Sequence, residues 1–190
     1  MIVMFLAPGF EEVEALAPLD LLRRAGLSVT TVAVTASETE LAVRGAHNIT
    51  VLADVTAADF RRVALADPTA PIEAVILPGG MPGTTNLDAS PVVEAALAMA
   101  HKQDAYLCAI CAAPLVLGRR GLLKGLRATC YPGFEEELVG ATTAGERVVT
   151  DQNVTTAIGM GAAEEFGREL CRLLCGEEKA NGVLASIHAR

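Results

Sequence analysis

Two residues in this chain combine a reactive group with a position that could use it. The apolar run Ala105–Ile110 has the length of a strand, stops at Cys111, and passes through Ala112 and Ala113 to Pro114, which suits the first turn of a helix. That order describes a strand-turn-helix elbow with a thiol at its apex, the geometry that lifts a nucleophile above the carboxyl edge of a parallel sheet. Unpaired backbone N–H groups and the positive end of a helix would favour the thiolate there. The competing reading makes Cys111 a small core hydrophobe, because free cysteine is among the most buried residue types. The second residue is Glu14, placed beside the top of the first strand on a helix that Pro18 interrupts. Between them in sequence lies Pro78-Gly79-Gly80-Met81-Pro82-Gly83, a loop whose glycines let backbone N–H groups approach a ligand closely. It lacks the spacing of a dinucleotide or phosphate loop, so a nucleotide cradle is not expected.

Positioning these groups requires a buried sheet. Ile2–Leu6, Val29–Val34, Ala74–Leu77 and Ala105–Ile110 are apolar runs of strand length, each followed by a turn signal, as expected of central parallel strands. Helices are expected after the first strand, ending at Arg23-Arg24, then over Pro91–Lys102, Leu115–Leu123, Glu135–Val139 and Ala162–Cys175, with a short one inside Asp54–Ala70. Leu41–Val43 with Ile49–Leu52 reads as a short hairpin or excursion, and Val148–Thr150 and Val154–Ala157 as short strands separated by the tight-turn residues Asp151-Gln152-Asn153. Strands alternating with helices predict a doubly wound, mostly parallel sheet with helices on both faces, over one domain spanning 1–190. In that fold a ligand binds beyond the carboxyl ends of the strands, where Glu14, the Pro78–Gly83 loop and Cys111 would meet.

Composition narrows the partners. The chain has 190 residues, 52% hydrophobic, with five Phe, two Tyr and no Trp, so its core is built from Ala, Val and Leu. A formal net charge of −8 argues against nucleic acid or an anionic membrane and for a small molecule. Five cysteines without a repeated C-x-x-C pair, and an apolar start too short for a secretion signal, place the chain in a reducing cytoplasm. Cys108 and Cys111 are three apart across a strand end and would point to opposite faces, which argues against a thioredoxin-like couple. Cys171 and Cys175 read as core fillers, Glu11, Glu12 and Glu135–Glu137 as solvated helix faces, and the three histidines have no claim on the site.

Gly9-Phe10-Glu11-Glu12-Val13-Glu14, Arg23-Arg24-Ala25-Gly26, Leu77-Pro78-Gly79-Gly80, Ala109–Pro114 and Thr155–Gly161 resemble, in order and spacing, the DJ-one branch of the ThiJ/PfpI superfamily. The resemblance covers essentially the whole chain. It implies a flavodoxin-like fold of the class I glutamine amidotransferase-like kind, a homodimer, and no cofactor or metal. It implies that Cys111 is an oxidisable nucleophile and Glu14 the carboxyl on its sulfur, with Gly79 and Gly80 lining the pocket and the N–H groups of Gly80 and Ala112 forming an oxyanion hole. Cys130 and Tyr131 would rim the same pocket, Cys130 as a candidate resolving thiol. The activities it implies are a glyoxalase or deglycase acting on small reactive carbonyls, or redox sensing and chaperoning under stress. A cysteine protease is disfavoured, because Ala112 stands where that branch has histidine. Tyr131 stands where many relatives have a histidine, and His47 where they have an arginine near the dimer seam.

Overall fold

The computed structural model describes residues 1–37 and 39–188. In chain order the elements are β1 (Ile2–Leu6), α1 (Glu12–Arg24), β2 (Val29–Ala33), β3 (Ala42–Arg44), β4 (Thr50–Leu52), β5 (Val55–Thr56) and α2 (Ala57–Val63). They continue with β6 (Ala74–Leu77), α3 (Gly83–Asp88), α4 (Pro91–Lys102), β7 (Tyr106–Ile110), α5 (Pro114–Arg119), β8 (Arg127–Ala128) and β9 (Thr142–Thr143). The last are β10 (Val148–Asp151), β11 (Val154–Ala157), α6 (Ala163–Cys175) and α7 (Glu177–Ser186).

Seven strands form the central sheet in the order β10-β11-β7-β6-β1-β2-β5. Every neighbouring pair is parallel except β10 with β11, the edge hairpin. Alternation along β1 shows why its run is apolar throughout. Val3 and Phe5 enter one layer, beneath α4 and α5, while Ile2, Met4 and Leu6 enter the other, beneath α1 and α6. Phe5 meets Phe60 of α2 edge-on at 5.3 Å, and Gly167 of α6 lets that helix close on Pro18 of α1, where a Cβ would come within 2.8 Å of the proline Cα. The chain leaves β1 toward β2 on one side and returns to β6 on the other, so the direction of winding reverses between β1 and β6. This switch point is where open α/β sheets leave a crevice for ligands.

Several expected boundaries moved. The helix expected to run to Leu123 stops at Arg119, and its continuation folds into tight turns with Gly121 and Gly125 at positive φ. The acidic helix after Tyr131 shrinks to one 3-10 turn, Glu135–Glu137. Two helices, α3 and α7, had no signal strong enough to be expected. Arg119 and Arg120 at the end of α5 both reach Asp88 of α3, at 2.7 and 2.6 Å, and Arg119 also reaches Glu137 at 2.8 Å. These pairs, rather than helix length, fasten the element that follows the elbow.

Candidate active site

Cys111 occupies the left-handed region, with φ of 66°, a conformation that costs a residue bearing a Cβ about 1–2 kcal/mol. Three backbone hydrogen bonds hold it there. Its own N–H donates to Ala157 O at 2.9 Å, Ala113 N–H donates to Ile110 O at 3.0 Å, and Tyr131 N–H donates to Cys111 O at 2.8 Å. The end of β11 and the loop after β8 thus fix the elbow, and the side chain of Cys111 packs against both core layers while remaining half-buried.

Glu14 comes to this thiol from the first turn of α1. The Glu11 carboxylate caps the helix, accepting from Glu14 N–H at 2.7 Å, and this fixes the turn on which Glu14 sits. Glu14 is 1% exposed. Its carboxyl accepts from Gly79 N–H at 3.0 Å and from Met160 N–H, and is hydrogen-bonded to Cys111. Gly79 has no room for a side chain, since a Cβ there would stand 2.5 Å from Glu14 Oε2 and 2.6 Å from Cys111 Cβ. Gly80, with φ of 89°, packs on the Gly9–Glu11 backbone and turns its N–H toward the Cys111 sulfur, which the Ala112 N–H also faces. Glu14, Gly79, Gly80, Cys111 and Ala112 therefore converge at the carboxyl ends of β1, β6 and β7.

The electrostatics of the pair differ from the expected lowered thiol. Burial pushes Glu14 up to about 7, against the hydrogen bond to Cys111, and the charge of Glu11 adds to the rise. Burial also pushes Cys111 up, to about 12, with the charge and hydrogen bond of Glu14 adding and the Gly80 and Ala112 N–H groups opposing. The physical reason is that α5 spans only six residues and the sulfur is walled in beside a carboxylate. The opposition from Glu14 belongs to its ionised form. Once Glu14 carries a proton its charge is gone and its O–H donates to sulfur, which favours the thiolate. The two groups titrate as one coupled unit.

Tyr131 lies at the rim, half-exposed, its ring 3.2 Å from where a Cβ on Gly159 would be. Cys130 does not rim the pocket as an exposed thiol: it is buried in the apolar layer, where burial and the nearby Glu135 push it up to about 11. Cys108 is wholly buried in β7 and Cys171 is buried under α6, while Cys175 is half-buried and donates to Cys171 O at 3.0 Å. Glu11 and Glu12 are not solvated as expected. Glu11 caps α1, and Glu12 is buried and accepts from the N–H and ring Nδ1 of His47, each at 2.8 Å. His47, expected near a dimer seam and not at the site, is thereby tied to the segment that carries Glu14. Met160 went unnoticed because it contributes a backbone N–H, which no side-chain pattern reveals. Its signal was the adjacent Gly159, whose φ of 154° few other residues adopt.

Known proteins share both the pattern and the architecture. The DJ-1/PfpI family matches residues 1–173. The chain is 34% identical over 187 residues to protein dj-1beta of Drosophila melanogaster, covering 97% of this chain and 95% of that protein. It is 38% identical over 179 residues to DJ-1 homolog B of Arabidopsis thaliana, a longer protein of which it spans 38% while 92% of this chain is covered. It is 31% identical over 179 residues to the glutathione-independent glyoxalase DJR-1.2 of Caenorhabditis elegans, covering 93% of this chain and 89% of that one. The structure of oxidized Toxoplasma gondii DJ-1 superposes with a TM-score of 0.89 at 30% identity, over 99% of this chain and 97% of the other. With the elbow, the buried carboxyl and the doubly wound sheet all in place, the chain belongs to the DJ-1/PfpI family.

Proposed function

We propose that this protein is a cysteine-dependent glyoxalase that needs no cofactor, converting methylglyoxal and similar small dicarbonyls to hydroxy acids, with deglycase-type chemistry on the same carbonyls as its extension. The observation that carries this reading is the contact of Cys111 with a carboxyl whose pKa, about 7, suits proton transfer in both directions near neutrality. The similarity to a protein named as a glutathione-independent glyoxalase supports it.

The chemistry follows from the groups present. The Cys111 sulfur adds to the aldehyde carbon, forming an S–C bond, and the resulting oxyanion takes the proton that Glu14 held. The N–H groups of Gly80 and Ala112, both turned toward the sulfur, stabilise that developing charge. The Glu14 carboxylate then removes the hydrogen from the former aldehyde carbon, and the electron pair moves into an enediol that includes the neighbouring carbonyl oxygen. Return of that proton to the second carbon, with the hydroxyl proton on the first carbon's oxygen passing to the second oxygen as the C=O bond forms, leaves a thioester of the hydroxy acid. Water attacks that thioester, the S–C bond breaks with its electrons on sulfur, and lactate departs. Only water is consumed, so no oxidant or cofactor enters the balance.

The test is lactate production from methylglyoxal by the wild type and by Cys111→Ser, side by side. Saturable turnover lost in the variant supports the reading, and equal rates sink it. A second reading has a specific basis: the same two N–H groups and Glu14 could hold the oxygens of a sulfinate, making Cys111 a stress sensor. It predicts a thiol sensitive to peroxide in a protein with negligible turnover.

We also infer a homodimer. Val13 near the start of α1, together with Ile49 and Leu52 of the β3–β4 hairpin, leaves large apolar side chains in solvent on elements that hydrogen bonds join. Their burial against a second copy is the simplest use of that surface. Among the described residues no helix is long and apolar enough to cross a membrane. A small reactive carbonyl is the partner we propose for the pocket, in a cytoplasmic setting, with no nucleic acid or membrane involved.

A further inference from the structure

The turn of the β3–β4 hairpin is laced onto the segment that leads into α1. Gly9 N–H donates to Arg44 O and Ala46 N–H donates to Phe10 O, each at 2.8 Å. Glu12 then accepts from the N–H and ring Nδ1 of His47, each at 2.8 Å, and from Ile49 N–H at 3.4 Å. Gly45 closes the turn directly over this carboxylate, because a Cβ there would come within 2.5 Å of Glu12 Cδ. On its other side the same segment builds the site. Glu11 N–H donates to Gly79 O at 2.9 Å, and the Glu11 carboxylate accepts from Glu14 N–H at 2.7 Å while lying 3.9 Å from His47 Nδ1. A solvent-facing imidazole and the buried Glu14 are thus linked through two adjacent carboxylates.

We propose that His47 is a positioning residue whose protonation, acting through Glu12 and Glu11, tunes the proton shared by Glu14 and Cys111. The inference rests on reading those two residues as a coupled pair, and it adds a control that lies outside the pocket. Among the described residues, the charged groups facing the ring are Glu12 on α1 and Glu11 at its N-cap, and Arg44 on the same hairpin pairs with neither. The hydrogen bond to Glu12, then the charge of Glu12, with that of Glu11 adding, pull the imidazole above its ordinary 6.5, so the ring keeps its proton to higher pH than a free imidazole does. Burial pushes Glu12 up, but the hydrogen bonds from His47 and Ile49 outweigh it and hold Glu12 below the usual range, so it stays ionised.

With His47 protonated, one positive charge offsets the two carboxylates. When the ring loses its proton, the Glu11–Glu12 cluster becomes more negative, and Glu11 is already a cause of the rise at Glu14. Added negative charge makes proton loss from the pair costlier whichever member sheds it. The imidazole therefore spreads the titration of the pair over a wider span of pH than a fixed charge would.

The experiment measures the pH profile of Cys111 alkylation by iodoacetamide from pH 5 to 9 in the wild type, His47→Asn and His47→Arg. Asn places an uncharged donor where Nδ1 stands, and Arg supplies a charge that does not titrate. Because the ring lies on the face we assign to a second copy, all three are measured at one concentration, with the assembly state fixed by sedimentation. The near-neutral inflection should move up in His47→Asn and down in His47→Arg, the two variants differing by roughly 0.3–0.5 unit, the size of one charge acting through a solvent-like dielectric, with the wild type between them. Inflections that coincide in all three proteins overturn the proposal. So does movement of both variants in the same direction, which is what a merely loosened hairpin would give. Alkylation needs no dicarbonyl. A protein that makes no lactate yet orders its inflections this way loses the proposed function and keeps this control, and active protein with coincident inflections does the reverse.

Discussion

Gly79 sits in the gap between Glu14 and Cys111, donating to Glu14 Oε2 at 3.0 Å with no space for a Cβ on either side. Both neighbours are buried or half-buried, so a methyl group at this position cannot be absorbed by a flexible chain end. Gly79→Ala is expected to drive the carboxyl and the sulfur apart. A displacement near 1 Å in a reacting pair costs about a hundredfold in turnover. Lactate formation should fall by about that factor while the protein stays folded by circular dichroism. Unchanged turnover would show that the carboxyl and thiol do not act together.

Glu14→Gln separates the two tasks of the carboxyl. The amide keeps a donor of similar shape for the sulfur but cannot exchange a proton. Cys111 should remain reactive toward iodoacetamide, while dicarbonyl turnover falls by roughly a hundredfold or more, the usual scale for a lost acid-base group. Turnover retained in the variant would assign the proton transfer to another group, and Tyr131 at the rim would be the next to substitute.

How far the sequence could carry this site depends on what each residue contributes. Cys111 and the β7 strand were legible because an apolar run that ends at a small-residue turn has few other uses in a parallel sheet. Glu14 followed from its place beside the end of β1. Glu12 was misread because two adjacent acids at a helix start ordinarily face water, and only the hairpin turn at Gly45–Ile49, far away in sequence, buries one of them. The lowered thiol pKa was expected from the helix start, its backbone donors and a protonated Glu14, and that expectation left out the cost of burial and of Glu14 in its ionised form. Helix α7 lacks a side-chain cap and carries Gly182 inside it, so nothing local marked a helix after Gly176.

Assembly is testable without substrate. If Val13, Ile49 and Leu52 are covered by a second copy, sedimentation at micromolar concentration should give about twice the chain mass. Leu52→Asp should shift the equilibrium toward monomer, because a charge in an apolar seam goes unpaired. A monomer in the wild type would leave that face to another partner.

The thiols should label in a definite order below pH 7. Cys108, Cys130 and Cys171 are buried, which leaves Cys111 and Cys175 as the half-buried competitors. Only Cys111 has a protonated carboxyl and two backbone N–H groups to stabilise its anion, so brief iodoacetamide treatment followed by peptide mapping should find it modified first. First modification at Cys175 would show that Glu14 does not activate the elbow.

Burial of Glu14 has a measurable consequence for stability. Its carboxyl rises from an ordinary 4.5 to about 7 on folding, so between those values the folded chain holds a proton that the unfolded chain has released. Stability from this group is therefore present in full below about pH 4.5 and declines as pH rises through about 7. A shift of that size corresponds to about 3 kcal/mol, a large fraction of the total for a domain of this length. Glu14→Gln carries no ionisable group there and escapes the decline. Thermal unfolding of both proteins from pH 5 to 8 should show the melting temperature of the variant gaining on that of the wild type as pH increases, by several degrees across the range. In Cys111→Ala the carboxyl loses the hydrogen bond that opposes its rise, so the wild-type decline should persist there and extend to slightly higher pH. Parallel curves for wild type and Glu14→Gln would mean that Glu14 is ionised throughout, and the shared-proton account of the Glu14–Cys111 pair would fall with it.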